Sequence, residues 1–173
     1  MTNGAKTKRT SKGNRFSRYV GRINKMPLKW RSYLLTKLFC SQVKFAGIAK
    51  VKLVSVKSEG VELFLHNRKK VQNHIGGIHA IAAGLLAESA SGIAFGMHVP
   101  DSHLPLLKSM KMNFNRRMQG NLKALAHLTT EQIAQVTSEE KGDIEVFVQL
   151  IDDSGQEPID CTMNWAWVPK KRK

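Results

Sequence analysis

Asn73-His74-Ile75-Gly76-Gly77-Ile78-His79-Ala80-Ile81-Ala82-Ala83-Gly84-Leu85-Leu86-Ala87-Glu88-Ser89-Ala90-Ser91-Gly92 is the stretch that decides the fold. Its second half is apolar and built from small residues, which reads as a helix near 78–91 buried on nearly all sides. Glu88 lies in the middle of that helix, and a carboxylate there is costly unless it is paired or put to use. Asn73, Gly76, Gly77 and His79 crowd the entrance, where free backbone N–H groups and the positive end of the helix dipole favour an oxyanion. An oxyanion site beside a buried carboxylate suits attack by water on a carbonyl. Nine residues separate His79 from Glu88. At about 100° per residue they fall on opposite sides of the helix, so two facing protomers would aim both at one substrate more easily than one helix could.

Upstream of this stretch, Ala49, Val51 and Leu53 alternate with Lys50 and Lys52, the period of two beginning near Val43. Ser58-Glu59-Gly60 reads as a turn, and Val61, Leu63 and Leu65 alternate again, which predicts a hairpin. Pro27 suits the first turn of an earlier helix with an apolar face from Leu28 to Phe39. Downstream the chain reads as nearly all strand. Gly92–Val99 is a short candidate, and Met110, Met112 and Phe114 belong to another. Further sets run through Leu122–Leu128, Ile144–Leu150 and Ile159–Trp167, with a turn at Asp152-Asp153-Ser154-Gly155. One buried helix after a first strand pair, then a long antiparallel meander, describes an α+β fold in which a sheet wraps a helix.

The 173 residues suffice for one domain with a proper core. The net charge of +15 is placed unevenly: residues 1–58 hold 15 Lys and Arg and no acid, while the other 13 basic residues meet all 13 acids. A basic arm on a neutral domain divides this way, and a uniformly basic nucleic-acid-binding domain does not. Residues 1–25 are read as a largely disordered basic arm and 26–173 as the single domain. Within the arm, Phe16, Tyr19, Val20 and Ile23 lie at i, i+3, i+4 and i+7 among arginines. That segment would touch a membrane surface or nucleic acid, or pack its apolar side on its own domain. An organelle presequence is also Arg-rich and acid-poor. Cys40 and Cys161 form no disulfide framework and lack metal-ligand spacing, so a reducing cytoplasm is the expected compartment. The apolar run Ile78–Ala87 is too short to span a bilayer. His98 and His103 have no partner set for a metal, and no Gly-rich phosphate loop is present.

The order of elements and the pattern Asn73…Gly76…His79…Glu88…Gly92 resemble the hotdog-fold thioesterase superfamily. The likeness is to its phenylacetyl-CoA thioesterase-type branch, and most of all to an uncharacterised bacterial branch. It covers roughly residues 43–168, and Lys108–Phe114, Gly120–Ala124 and Asp153-Ser154-Gly155 continue it. The resemblance implies a sheet wrapped around one long buried helix, with an N-terminal helix, acting on an acyl-CoA or acyl-carrier thioester without a cofactor. It implies Glu88 as general base or nucleophile, Asn73 as the group that orients water or holds substrate, and Ala80 as a backbone N–H donor to the thioester oxygen. Ser109 stands where a residue that positions water or carboxylate belongs. It also implies a homodimer with sites across the interface, or two such dimers in a tetramer. Ala80-Ile81 replace the family's usual glycine pair after the His, so Ile81 narrows the approach, and an aromatic and a Pro usual near Arg116-Arg117 are missing.

Plainer roles stand beside these. Glu88 could be a structural charge, Asn73 a turn cap, and His79 a loop anchor. Arg116, Arg117 and Lys170-Lys171-Arg172-Lys173 could hold CoA phosphates or form a solvated surface. A non-catalytic acyl-CoA-binding hotdog protein whose arm contacts nucleic acid or membrane is a second function. A hydroxyacyl dehydratase or hydratase is a third: His74 precedes Glu88 by the fourteen residues such enzymes use, but Ile75-Gly76-Gly77 stands where they have Phe-Pro-Gly.

Overall fold

The computed structural model describes residues 13–171. The tail before Gly13, and Arg172 and Lys173 of the basic C-terminal run, lie outside the described residues. Three helices come first, α1 (Arg15–Ile23), α2 (Leu28–Gln42) and α3 (Lys44–Ala49). The hairpin β1 (Lys52–Lys57) and β2 (Gly60–Leu65) follows, then a 3-10 turn at Lys69–Val71 and the central helix α4 (Ala80–Gly96). The chain ends with β3 (His103–Phe114), β4 (Leu122–Ala126), α5 (Thr130–Ser138), β5 (Gly142–Asp152) and β6 (Ile159–Pro169). The strands form one six-stranded sheet in the order β1-β2-β4-β5-β6-β3, antiparallel throughout.

Alternation along each strand explains the wrap. Val61, Leu63 and Leu65, then Leu122, Ala124 and Ala126, then Val146, Val148 and Leu150 all turn inward and are buried. They close on α4, whose small residues let the sheet approach nearly all round. Only Ala80, Ile81, Glu88, Gly92 and Gly96 of α4 escape full burial. From Ile81 through Glu88 and Gly92 to Gly96 these follow the helical repeat, so a single stripe of α4 is left open by the sheet. The helix expected to be buried on nearly all sides is buried on all but this stripe.

Several sequence expectations are corrected. Gly92–Val99 is not a strand; α4 runs on to Gly96, because the apolar run it continues has no helix stop before Met97. Residues 44–49 are α3 rather than the start of an extended segment, and the turn into β1 is made by Lys50 in the left-handed region, φ 56°. The meander holds for β4, β5 and β6, but β3 lies beyond β6 at the far edge. Helix α5 interrupts the run of strands. Its capping box was legible: the Thr129 hydroxyl accepts from the Gln132 N–H, and the Gln132 side chain accepts from the Thr129 N–H.

The disordered reading of residues 1–25 is corrected from Gly13 onward. Asn14 caps α1, its Oδ1 accepting from the Ser17 N–H at 2.8 Å. The same side chain donates from Nδ2 to the carbonyls of Gly96 and Val99, both at 2.6 Å, and so clips α1 to the end of α4. Val20 is buried on the inner side. The plainer alternative for this segment, an apolar side packed on its own domain, is the one the structure adopts.

Candidate active site

The entrance to α4 is built by Asn73. Its Oδ1 accepts from the N–H groups of Ile75 and Gly77, each at 3.1 Å, and its own N–H donates to the Gly77 carbonyl at 2.8 Å. Gly76 takes φ +77°, which a residue with a Cβ adopts only under strain, and its N–H donates to the Asn73 carbonyl. The N–H groups of Gly76 and Gly77 are thus spent inside the turn, and the expectation that they bind substrate is corrected. His79 is the N-cap of α4, with Nδ1 accepting from the Ile81 N–H at 3.1 Å. A ring nitrogen that accepts carries no proton, which leaves Nε2 as the donor of this exposed residue. The Ala80 N–H makes no hydrogen bond among the described residues, so the entrance keeps a donor at the positive end of the dipole.

Glu88 sits on the open stripe, half-buried. Burial pushes its carboxyl above the usual Glu range, with no hydrogen bond or charge opposing the shift. It lies in the wall between two clefts. One, of about 170 Å³, runs along the first turns of α4 past Ala80, Ile81 and Gly84 and is closed by Met110, Met112 and Phe114 of β3. The other, of about 560 Å³, continues from Glu88 toward the C-terminal end of α4. Ala80 and Glu88 therefore face the same cleft, whereas His79, read as lying on the opposite side of the helix from Glu88, lines neither cleft. Ala80 and Glu88 remain eight residues apart, about 12 Å along the axis, which is too far for both to touch one carbonyl.

Ser109 is not brought to this site. It pairs with Asn164 across the ladder, whereas Met110 pairs with buried Met163. Cross-strand partners share a face, so Met110 points toward α4 and Ser109 points outward. The register shift between Leu107 and Ser109 produces this setting. Arg116 is also corrected as a phosphate ligand. Its Nη2 donates to both oxygens of buried Asp152 at 2.9 Å. Arg117 donates to the Ile75 carbonyl at 2.7 Å and steadies the Asn73–Gly77 turn. Lys170 donates to the Asp101 carbonyl.

The Asp152 carboxylate further accepts from the Gln119 N–H at 2.9 Å, and from the Ser154 N–H and hydroxyl at 3.0 and 2.6 Å. Burial alone would push its carboxyl up; these donors together hold it below the usual range. Asp152→Asn is expected to cost on the order of 3 kcal/mol at neutral pH, since it leaves a half-buried guanidinium without its counter-charge. A lowered folded-state pKa stabilises above the unfolded value of about 3.9. The difference between variant and parent, read from urea melts, should therefore shrink as pH falls through the lowered value. A constant difference from neutral pH down to the acid limit would show that the charge is irrelevant.

Reading the sequence missed two groups. Ser89 is buried beside Glu88, lines the larger cleft, and has no side-chain hydrogen bond among the described residues. Trp165 forms a wall of the same cleft, its Nε1 donating to the Ser91 hydroxyl at 2.9 Å. The signal for Trp165 was Gly92: a Cβ there would lie 2.8 and 2.9 Å from ring carbons of Trp165. Burial pushes the Cys161 thiol up to about 12, so it is no nucleophile. Among the described residues no three His, Cys, Asp or Glu side chains cluster as metal ligands, and no helix is long and apolar enough to cross a membrane.

An antiparallel sheet curled around one long central helix, with the carboxylate on the helix's open stripe, is the hotdog fold. Residues 31–168 match the family described as "Domain of unknown function (DUF4442)", and the chain belongs to that family. No curated protein matches the sequence. Among solved structures, the chain is similar to a Pseudomonas aeruginosa protein of unknown function described as a probable thioesterase. The TM-score is 0.72 at 23% identity, over 84% of this chain and 97% of that one. It is similar to a mutant thioesterase from Pseudomonas aeruginosa, with TM-score 0.64 and 17% identity over 78% and 94% of the two chains. It is also similar to a thioesterase from Haemophilus influenzae, with TM-score 0.64 and 12% identity over 78% and 88%. At these identities the likeness carries the fold.

Proposed function

We propose that the protein is a thioester hydrolase acting on acyl-CoA or acyl-carrier thioesters, with Glu88 as general base or nucleophile. The observation that carries this reading is a half-buried carboxylate whose proton affinity is raised by burial alone, set in the wall between two apolar clefts. The shared fold with proteins described as thioesterases supports it. As a base, Glu88 takes a proton from water while the water oxygen attacks the carbonyl carbon. The oxyanion that forms faces an Ala80 N–H at a helix N-terminus. Collapse of the tetrahedral species breaks the C–S bond, and the leaving thiolate recovers the proton. As a nucleophile, the same carboxylate would form a mixed anhydride that water then opens.

The 12 Å between Ala80 and Glu88 within one helix favours a composite site in a homodimer, alone or paired into a tetramer. Strand β3 supports this. It is a 12-residue edge strand with Leu104, Leu106, Met110 and Phe114 exposed. An unpaired edge of this length is a template for a second copy. In that assembly the partner's entrance would supply Ala80 and Asn73 to the site of Glu88.

A panel of acyl-CoAs with a free-thiol reagent tests the activity. Thiol release is expected, with KM rising as salt screens the attraction between this basic chain and anionic CoA. Binding without release would sink the hydrolase and leave an acyl-CoA-binding protein, whose basic N-terminal segment would then dock on nucleic acid or membrane. Hydration of an enoyl thioester would favour the hydratase reading, but His74 is exposed at the turn, away from both clefts.

A further inference from the structure

The larger cleft has a roof that the hotdog core alone does not supply. Phe16 and Tyr19 of α1, with Leu38 of α2, cover it; the stripe Glu88–Gly96 of α4 is its floor and Trp165 a wall. We propose that this cleft takes the acyl chain of the substrate, and that helix α1 and Gly96 set the chain length accepted. The proposal rests on the thioesterase reading for its occupant.

A glycine in a helix interior is worth about 1 kcal/mol less than Ala to helix stability, so Gly92 needs a reason, whereas Gly96 ends α4, where that cost does not apply in full. Gly92 has one in the ring of Trp165 lying against it. Gly96 has none among its neighbours: a Cβ there would meet nothing within 4 Å. What Gly96 leaves is open volume at the far end of the cleft. The roof is fixed there as well, by the two Asn14 bonds to the Gly96 and Val99 carbonyls and by the Arg15 N–H bonded to Asp101 at 3.0 and 3.1 Å.

The geometry fits a chain tethered at one end. Glu88 belongs to the walls of both clefts, so a carbonyl held at Glu88 directs its alkyl chain into the larger one. From Glu88 to Gly96 the floor runs about 12 Å. A volume of about 560 Å³ with mostly apolar walls lies within the range of small-ligand sites. A short acyl group would leave most of it empty, and a chain of medium to long length would fill it. The polar groups at the Glu88 end, the carboxylate and the Ser89 hydroxyl, lie where the reacting carbonyl would be; at the Gly96 end the polar lining groups Asn14, Asp101 and Lys170 are engaged in hydrogen bonds, beside Val99 and Pro100.

The test uses the full chain and two thioethers that cannot be hydrolysed, S-butyl-CoA and S-dodecyl-CoA, titrated by calorimetry. Wild-type protein should prefer the dodecyl compound by at least about a hundredfold, since each buried methylene contributes about fourfold. Gly96→Leu, which fills the far end, should cut that preference at least about tenfold. Tyr19→Ala, which opens the roof at a half-exposed residue and so preserves the fold, should cut it too. The same preferences should hold with S-butyl- and S-dodecylpantetheine, the arm that CoA and carrier proteins share. Equal binding of the two lengths by wild-type protein, or a preference untouched in both folded variants, overturns the proposal. The outcome is separable from the activity. Dodecyl preference without any turnover upholds the chain pocket and removes the hydrolase, whereas butyryl-CoA turnover without length preference does the reverse.

Discussion

Glu88→Gln should lower turnover of an acyl-CoA by about 10²–10⁴-fold, the range for loss of a positioned base. The amide keeps the shape of the side chain and cannot take a proton from water. Its fold should survive, because Glu88 has no ion pair among the described residues, and removing a half-buried charge relieves a desolvation cost rather than creating one. Affinity for S-dodecyl-CoA should stay near the wild-type value, which separates loss of chemistry from loss of binding. The pH profile sharpens the test. Only the ionised carboxylate acts as base, and burial raises its pKa. Wild-type kcat should therefore climb with pH through a value above the ordinary Glu range near 4.3, and the residual activity of the variant should lack that limb. A Gln variant with wild-type kcat would make Glu88 a structural charge and end the mechanism.

Mixing two inactive variants should restore activity. Asn73→Asp keeps the oxygen that accepts from the Ile75 and Gly77 N–H groups, so the entrance turn stays intact, and replaces the amide donor by a carboxylate oxygen. Asn73 lines neither cleft that Glu88 lines, so its amide would serve the site of a facing copy. After exchange with Glu88→Gln chains, each heterodimer would hold one site free of both changes. Random exchange should then recover roughly a quarter of wild-type activity from a near-zero start. Activity that stays absent after exchange is confirmed by mass spectrometry would place both residues in the site of one protomer. Active Asn73→Asp homodimers would leave Asn73 as the turn cap that its hydrogen bonds already make it.

Local pattern alone determined a good deal. The small apolar residues from Ile78 to Ser91 identified the central helix, because only such residues let a sheet close around it. Period-two runs at Val61–Leu65, Leu122–Leu128, Ile144–Leu150 and Ile159–Trp167 identified strands that bury one face, the second of which ends at Ala126. The spacing from Asn73 to Glu88 marked the entrance and the carboxylate. Tertiary structure decided what those residues do. Which backbone donors are free depends on closure of the Asn73–Gly77 turn, so Gly76 and Gly77 are spent and Ala80 is not. Whether Arg116 reaches outward depends on where the loop of Asp152 folds, thirty-six residues away. The face of Ser109 depends on a one-residue shift in pairing with β6, and such a shift moves a side chain through the sheet. The cleft along Gly92 and Gly96 is roofed in part by α1, read from its charge as an arm. Charge counts report a segment's mean affinity for solvent, whereas burial follows the few residues on the inner side, here Phe16, Val20 and Ile23.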